Sequence, residues 1–568
     1  MSADTQRSGA WLSRQIIAEL CRSGVDRFYV SPGYRNAPLI AALCEEDQVR
    51  VRSCPDERAA AFQALGYGRA RGRPAVLLCT SGTAGANYLP AVIEASRDQV
   101  PMLIITADRP FDLVHTDANQ VLPTQNFFGT WVRYSMTFPE HLEAEQAGAH
   151  WRYLLRCTVA PVAGPVHANI PLREPLEPPP VPLPARGEPA PVWIGPFDED
   201  SQPEPSEHQL STIRRALLQA SRPLILWGGA VGAATAGRLE DLLRKGWPVR
   251  TDISCGTGLR HLAAPGDGGI AAVETQVRAY APDFVLQAGR RPVSKAWSAL
   301  LETLRPEHIV IINEFSGIAG GGAGTAVHVR CPADRFLARL LEEPLPDAPP
   351  AAADLLAGWG ELRRQLASGV ADLPFSFPWI AAQLDAALPA DYQLLPGNST
   401  SIRAFDSFTG YGPGPGHPVF ANRGASGIEG LVSTAMGVAD GCGRPVAVVP
   451  GDISLIHDLN ALLQLTAMET PVLVVVVNDK GGGIFRRMPI SAHPEVMNPL
   501  MSTPHNLNFA GIAAMASLPY EFADDRAGFL RGLRRLTAGG TSALLECCPG
   551  PADEQRAWGF LRGHTRES

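Results

Sequence analysis

Two short apolar runs, Pro445–Val449 and Pro471–Val477, constrain this chain more than any other feature. Runs of that length, rich in Val, read as strands buried on both faces, as in a parallel sheet covered by helices. Between them, residues 457–468 carry Leu, Ala and Met at helical spacing. The unit reads strand, helix, strand, and such a crossover returns the second strand parallel to the first. Asp452 follows the first strand and Asp479 the second. Both should then stand on the sheet edge where open α/β sheets bind ligands. Two adjacent carboxylates repel unless a cation or a proton lies between them. With Asn478, Asn460 and the Gly481–Gly483 backbone expected nearby, the donors are all oxygen, which suits Mg2+ rather than zinc.

The rest of the chain repeats the strand-helix alternation. Its 568 residues exceed one hydrophobic core. Strands are expected at Phe28–Val30, Val49–Cys54, Pro74–Cys79, Pro101–Thr106 and Pro165–Ile170, with helices at Arg58–Arg71 and Ala84–Ser96. Twelve prolines between Pro171 and Pro205 mark a linker, and Pro344–Pro350 marks a second. Between the linkers, strands are expected at Leu224–Trp227, Pro248–Thr251, Phe284–Gln287 and Ile309–Asn313. The expected architecture is α/β: three doubly wound parallel-sheet domains over 1–175, 205–343 and 370–568. A net charge of −8 argues against nucleic acid or an anionic membrane as partner, and no apolar run is long enough to span a bilayer. Ten scattered cysteines and a polar N-terminus fit a reduced, cytoplasmic chain.

Two Gly-rich turns follow strands and open helices, where backbone amides favour an anion: Thr80–Gly85 and Asn422–Gly427. Neither ends as a Walker loop does. Gly228–Gly232 lacks dinucleotide spacing and reads as a tight turn. Asp56-Glu57 stands between a strand and an Ala-rich helix, and helix capping alone would explain two acids there.

The Gly451-Asp452 pair followed one crossover later by Asn478-Asp479 resembles the signature of thiamine-diphosphate enzymes. The resemblance implies that Asp452, Asp479 and the Gly481 carbonyl hold Mg2+ (or Mn2+) against the cofactor's diphosphate, beside Ile453. It also gives Glu57 a chemical role. In these enzymes a glutamate bonded to the pyrimidine ring favours the tautomer that activates the thiazolium carbon. The three domains become pyrimidine-binding, middle and diphosphate-binding. Because such enzymes pair the first and last from different subunits, at least a homodimer is implied, with a homotetramer expected.

A closer resemblance covers nearly the whole chain. Ser31–Leu39, Asp56-Glu57-Arg58, Thr80–Ala84, Thr106–Pro110, Ala118-Asn119-Gln120, Gly164–Asn169, Asn422–Ile428 and Gly482–Phe485 occur in order. This set is similar to the menaquinone-pathway synthases, which decarboxylate 2-oxoglutarate and add the succinyl carbanion equivalent to isochorismate. The resemblance implies substrate contacts from Arg35, Arg109, Gln120, Lys295, Ser399, Arg403 and Arg423. It implies an apolar wall of Ile484 and Phe485, with Met488 one turn on, and cofactor contacts from Asn398, Ser426, Ile428 and Ile484. Ile428 is the residue expected to bend the cofactor. Both substrates are dianions, so a chain of net negative charge needs local cations, and five of those seven positions are basic.

The sequence departs from the family at Tyr34, where a small Ser is usual, at Asp479 for Asn, at Pro55, and in the Gly/Pro-rich loop 410–416. Tyr34 and the loop motivate an alternative, a related 2-oxo acid decarboxylase or carboligase with another acceptor. A non-catalytic paralogue is disfavoured because Glu57, Asp452 and an acid at 479 are all present. A flavin-dependent synthase is disfavoured by the missing dinucleotide fingerprint.

Overall fold

The computed structural model describes residues 9–124, 126–140, 144–177, 197, 202–255, 270–315, 326–411 and 416–563. Most of the proline-rich stretch (178–196 and 198–201) and residues 412–415 of the 410–416 loop lie outside them. Contacts divide the chain into two compact units. The first takes Met1–Ser201, Asn422–Arg444 and His457–Thr470; the second takes Gln202–Ala421, Pro445–Ile456 and Pro471–Ser568.

The first unit is built on six parallel strands: β1 (Arg27–Ser31), β2 (Arg50–Ser53), β3 (Ala75–Cys79), β4 (Met102–Asp108), β5 (Tyr134–Thr137) and β6 (Pro165–Pro171). Their order is β2-β1-β3-β4-β6-β5. Alternate residues feed separate cores on the two faces. Phe28, Val30, Val76, Leu78, Leu103 and Ile105 enter one; Tyr29, Leu77, Cys79, Met102 and Ile104 enter the other. That is why these strands read as unbroken apolar runs. The winding reverses between β1 and β3, and the loops after these strands meet there, with the Gly33 backbone against Thr80. The helix expected over 84–96 is broken into Ala84–Asn87 and Leu89–Arg97 around Pro90.

Helices Glu57–Arg71 and Leu431–Cys442 cross at glycines. A Cβ on Gly66 would overlap the Thr434 carbonyl oxygen, and one on Gly437 would overlap that of Gln63. The relation is reciprocal: each glycine sits three residues after the carbonyl that its counterpart abuts.

The second unit holds two sheets. One is β7 (Pro223–Gly228), β8 (Val249–Thr251), β9 (Phe284–Gly289), β10 (His308–Ile312) and β11 (Ala326–Val329), ordered β11-β10-β9-β7-β8. The other is β12 (Gln393–Pro396), β13 (Val446–Val449), β14 (Val472–Val477), β15 (Tyr520–Ala523) and β16 (Ala543–Cys547), ordered β12-β13-β14-β16-β15. Both are parallel throughout. A one-residue parallel bridge from Leu394 to Val419 adds a strand position beside β12. With it, the last sheet has the same winding as the first. The crossover from β13 to β14 is not one helix but three short turns, Asp452–Ile456, Leu459–Leu462 and Leu465–Ala467. Pro344–Pro350 is no free linker: Lys245 Nζ and Trp247 Nε1 donate to the Leu345 and Pro346 carbonyls at 2.7 and 2.9 Å. No helix among the described residues is long and apolar enough to cross a membrane.

His167 on β6 is fully buried, with Nε2 at 2.8 Å from Thr106 Oγ1 and Nδ1 at 3.1 Å from Ser135 Oγ. Burial pushes its pKa down to about 3. An unfolded histidine binds its proton near pH 6.5, so protonation favours unfolding as pH falls from 6.5 toward 3. Stability should drop by up to about 1.4 kcal/mol per pH unit in that window from this residue alone. Urea midpoints of wild type and His167→Gln between pH 7 and 4.5 check it: the variant should show a shallower decline, and equal slopes would refute it.

Candidate active site

In the first unit the expected residues gather after the C-terminal ends of β1 to β4. Glu57 opens its helix, but the capping is done by Asp56, whose Oδ1 accepts from Arg58 N and Ala59 N at 2.8 and 3.2 Å. Glu57 Oε2 takes a long hydrogen bond from Asn87 Nδ2, 3.3 Å. The two acids that one explanation covered therefore do different work. Gln120 Nε2 donates to the Ser81 carbonyl at 2.9 Å, joining the 118–120 and 80–85 motifs.

Arg35 is buried, donating Nη1 to the Leu172 carbonyl and Nη2 to Glu174 Oε1, both at 2.8 Å. Arg109 Nη1 lies 4.0 Å from the same Glu174 oxygen. One carboxylate thus reaches two of the arginines expected to bind substrate carboxylates, and here it belongs to the chain itself. Tyr34 does not crowd this pair: its ring is 60% exposed and its hydroxyl donates to Glu177. Arg423, Ser426 and Ile428 also belong to the first unit and are half-buried.

In the second unit, Asn398, Ser399 and Arg403 follow β12, Asp452 and Ile453 follow β13, and Asp479 to Phe485 follow β14. These three strands are neighbours. Asp452 is 2% exposed; Oδ1 accepts from Ile453 N at 2.7 Å and Oδ2 from Gly481 N at 2.8 Å. Burial pushes its carboxyl up, against the pull of those amides. Burial, and then the charge of Asp452, pushes Asp479 up to about 7. The Asp479 carboxylate lies so close to Gly483 that no Cβ fits there. The Gly481 carbonyl accepts from Gly483 N at 2.9 Å, leaving a second lone pair. Ile484 and Phe485 sit half-buried on the short helix Gly483–Arg487, whereas Met488 is exposed. Arg403 Nη1 donates to the Ser399 carbonyl at 2.6 Å. Lys295 opens the helix Lys295–Leu304.

The two asparagines expected beside the acids are directed elsewhere. Asn478 Nδ2 donates to Glu546 Oε1 at 2.7 Å, and Asn460 Nδ2 to Asp56 Oδ2 at 2.6 Å. Periodicity placed them on the right elements but said nothing of side-chain direction. In their place stands His505, which carried no spacing signal in the sequence. Its Nε2 lies 3.2 Å from Asp452 Oδ2 without completing a hydrogen bond. Among the described residues no three His, Cys, Asp or Glu form a metal cage. A buried and a half-buried acid beside a backbone carbonyl nevertheless fit a divalent cation, which would offset the burial that raises both carboxyls and the Asp452 charge that raises Asp479. Backbone strain marks the same places: Gln120, Ser399, Ser426 and Lys480 have φ of 60°, 65°, 63° and 63°.

Comparison with known proteins bears on both halves. Residues 11–129 match the thiamine pyrophosphate enzyme N-terminal TPP binding domain, and residues 409–547 the C-terminal TPP binding domain. The chain is therefore a thiamine-diphosphate enzyme. It is 37% identical over 567 residues to the 2-succinyl-5-enolpyruvyl-6-hydroxy-3-cyclohexene-1-carboxylate synthase of Syntrophus aciditrophicus, covering 96% of each chain. The synthases so named from Rubrobacter xylanophilus and Chlorobium phaeovibrioides are 36% and 34% identical, over 96% and 95% of this chain and 96% and 94% of theirs. The chain belongs to the family of these synthases.

Proposed function

We propose that this protein decarboxylates 2-oxoglutarate and adds the resulting succinyl unit to isochorismate, releasing CO2 and 2-succinyl-5-enolpyruvyl-6-hydroxy-3-cyclohexene-1-carboxylate for menaquinone biosynthesis. The observation that carries this reading is the pair of acids Asp452 and Asp479 after adjacent parallel strands, the first raising the second, in a chain 37% identical to a synthase of that name over 96% of each chain. Bound thiamine diphosphate supplies the electron sink for loss of CO2 and the acyl-anion reactivity of the remaining fragment.

The chain's residues supply the rest. Asp452, Asp479 and the Gly481 carbonyl would hold the Mg2+ (or Mn2+) ion of the diphosphate, next to Ile453. Glu57 would exchange a proton with the cofactor's pyrimidine nitrogen. Arg35, Arg109, Gln120, Lys295, Ser399, Arg403 and Arg423 would bind the substrate carboxylates. That Arg35 and Arg109 both approach the Glu174 carboxylate supports this use, since a pair that receives one carboxylate has the geometry for another. Asn398, Ser426 and Ile428 would contact and bend the cofactor, and Ile484 and Phe485 would keep water from the reacting carbon. The outward turn of Tyr34 removes one of the two reasons for expecting another acceptor. The three-domain division at 1–175, 205–343 and 370–568, a homodimer or homotetramer and a cytoplasmic location belong to the same proposal.

A steady-state assay with Mg2+, thiamine diphosphate and 2-oxoglutarate, with and without isochorismate, tests it. Isochorismate consumption requiring all components is expected; CO2 release indifferent to isochorismate would overturn the acceptor assignment. Asp452→Ala should weaken Mg2+-dependent thiamine diphosphate binding by more than the roughly 10–100-fold lost with an outer-sphere partner. Unchanged affinity by fluorescence titration would refute the metal site.

A further inference from the structure

The Gly-rich turn Asn422–Gly427, with its run of backbone amides, looks from sequence like a grip for phosphate. In the structure its amides are already used. Gly424 N donates to Glu94 Oε1 at 2.8 Å, while Ala425 N and Ser426 N donate to Glu94 Oε2 at 2.6 and 3.1 Å. Glu94 belongs to the helix Leu89–Arg97 and is 2% exposed. A carboxylate bonded by three amides has filled the anion nest, so no phosphate can use the same donors.

The surroundings fix this carboxylate. Arg69 Nη2 is 3.6 Å from Glu94 Oε1, and Arg69 also pairs with the buried Asp98. The Arg69 guanidinium also donates to Asn422 Oδ1 at 3.4 Å, and Asn422 Nδ2 donates to Thr434 Oγ1 at 2.9 Å. The Gly424 backbone lies flat on the end of the 89–97 helix, where a Cβ would come within 2.6 Å of the Glu94 carbonyl oxygen. Ser426, whose amide is the last of the three donors to Glu94, is held at φ 63°. That conformation is costly for a serine and persists only when its neighbours impose it.

We propose that Glu94 is a positioning residue: its carboxylate sets the shape of the Arg423–Ile428 turn, and thereby the placement of Arg423, Ser426 and Ile428 toward substrate and cofactor. The inference rests on the reading of those three residues given above. The buried acid does not touch the reactants; it acts through the backbone. Its negative charge is required because three N–H groups converge on it, and a carboxamide would turn an N–H of its own toward one of them.

Glu94→Gln is the test, with Glu94→Asp as the partner that keeps the charge. In the protein without cofactor, trypsin should cut after Arg423 at least ~10-fold faster in Glu94→Gln than in wild type, with far-UV circular dichroism unchanged. Thiamine diphosphate affinity should fall at least ~10-fold, and KM for isochorismate should rise more than kcat falls. Glu94→Asp should recover part of each loss. Wild-type proteolysis, affinity and KM in Glu94→Gln would overturn the proposal. If Glu94→Gln does not fold, hydrogen exchange in wild type decides: amides 424–426 should exchange slowly, and exchange at free-loop rates would overturn it. A wild-type protein that binds no thiamine diphosphate would instead refute the functional reading, while the proteolysis result would still stand or fall by itself.

Discussion

Glu57→Gln is expected to lower kcat by roughly 10²–10⁴-fold, the usual contribution of a positioned proton-transfer group, and to leave thermal stability within error. The separation of roles at residues 56 and 57 makes this a clean experiment. Asp56 holds the amides of Arg58 and Ala59 and so closes the helix start. Glu57 adds nothing to that cap, and its contact with Asn87 asks only for an acceptor oxygen, which Gln retains. Asp56→Ala, in contrast, should cost about 0.5–2 kcal/mol of stability, as loss of an N-cap does. Full activity in Glu57→Gln would remove the assigned role. A large drop in melting temperature would show that the carboxylate is structural after all.

Gly437→Ala should be the most damaging change that touches no reactant. The added methyl group would occupy the space of the Gln63 carbonyl oxygen, an atom of a helix backbone that cannot rotate away as a side chain would. Overfilling a core with one or two methylenes costs about 1–3 kcal/mol when side chains can shift. Here two helix backbones must separate, so the cost should exceed that range. Gly66→Ala meets the Thr434 carbonyl in the same way and should cost a similar amount. Melting temperature and soluble yield measure both, and a variant as stable as wild type would disprove the close crossing.

Strands buried on both faces were legible in the sequence because their apolar runs are continuous. Phe28–Val30, Pro74–Cys79, Phe284–Gln287 and Pro471–Val477 all lie within or overlap observed strands. Strands such as β5 (Tyr134–Thr137) and β15 (Tyr520–Ala523) escaped because edge strands are half exposed and carry no such run. Position at strand ends was equally legible, as for Asp452 and Asp479. Contacts that depend on side-chain direction were not: nothing in the spacing sends Asn460 to Asp56, or brings Glu94 to residues 424–426. Those pairs are separated by hundreds of positions, and only packing brings them together.

The shared winding of the first and last sheets has a consequence for how such an enzyme diverges. Loops after the first four strand positions correspond between them: Arg35 with Ser399, Glu57 with Arg423, Thr80 with Asp452, Arg109 with Asp479. One scaffold has been used twice, once to present Arg35, Glu57 and Arg109, once to present Arg403, Arg423 and the acids Asp452 and Asp479. Each loop is a slot on a rim whose supporting strands, β2 apart, are buried. Selection, or a protein engineer, can therefore change the residues of one slot without renegotiating the core beneath it or the slots on the other copy.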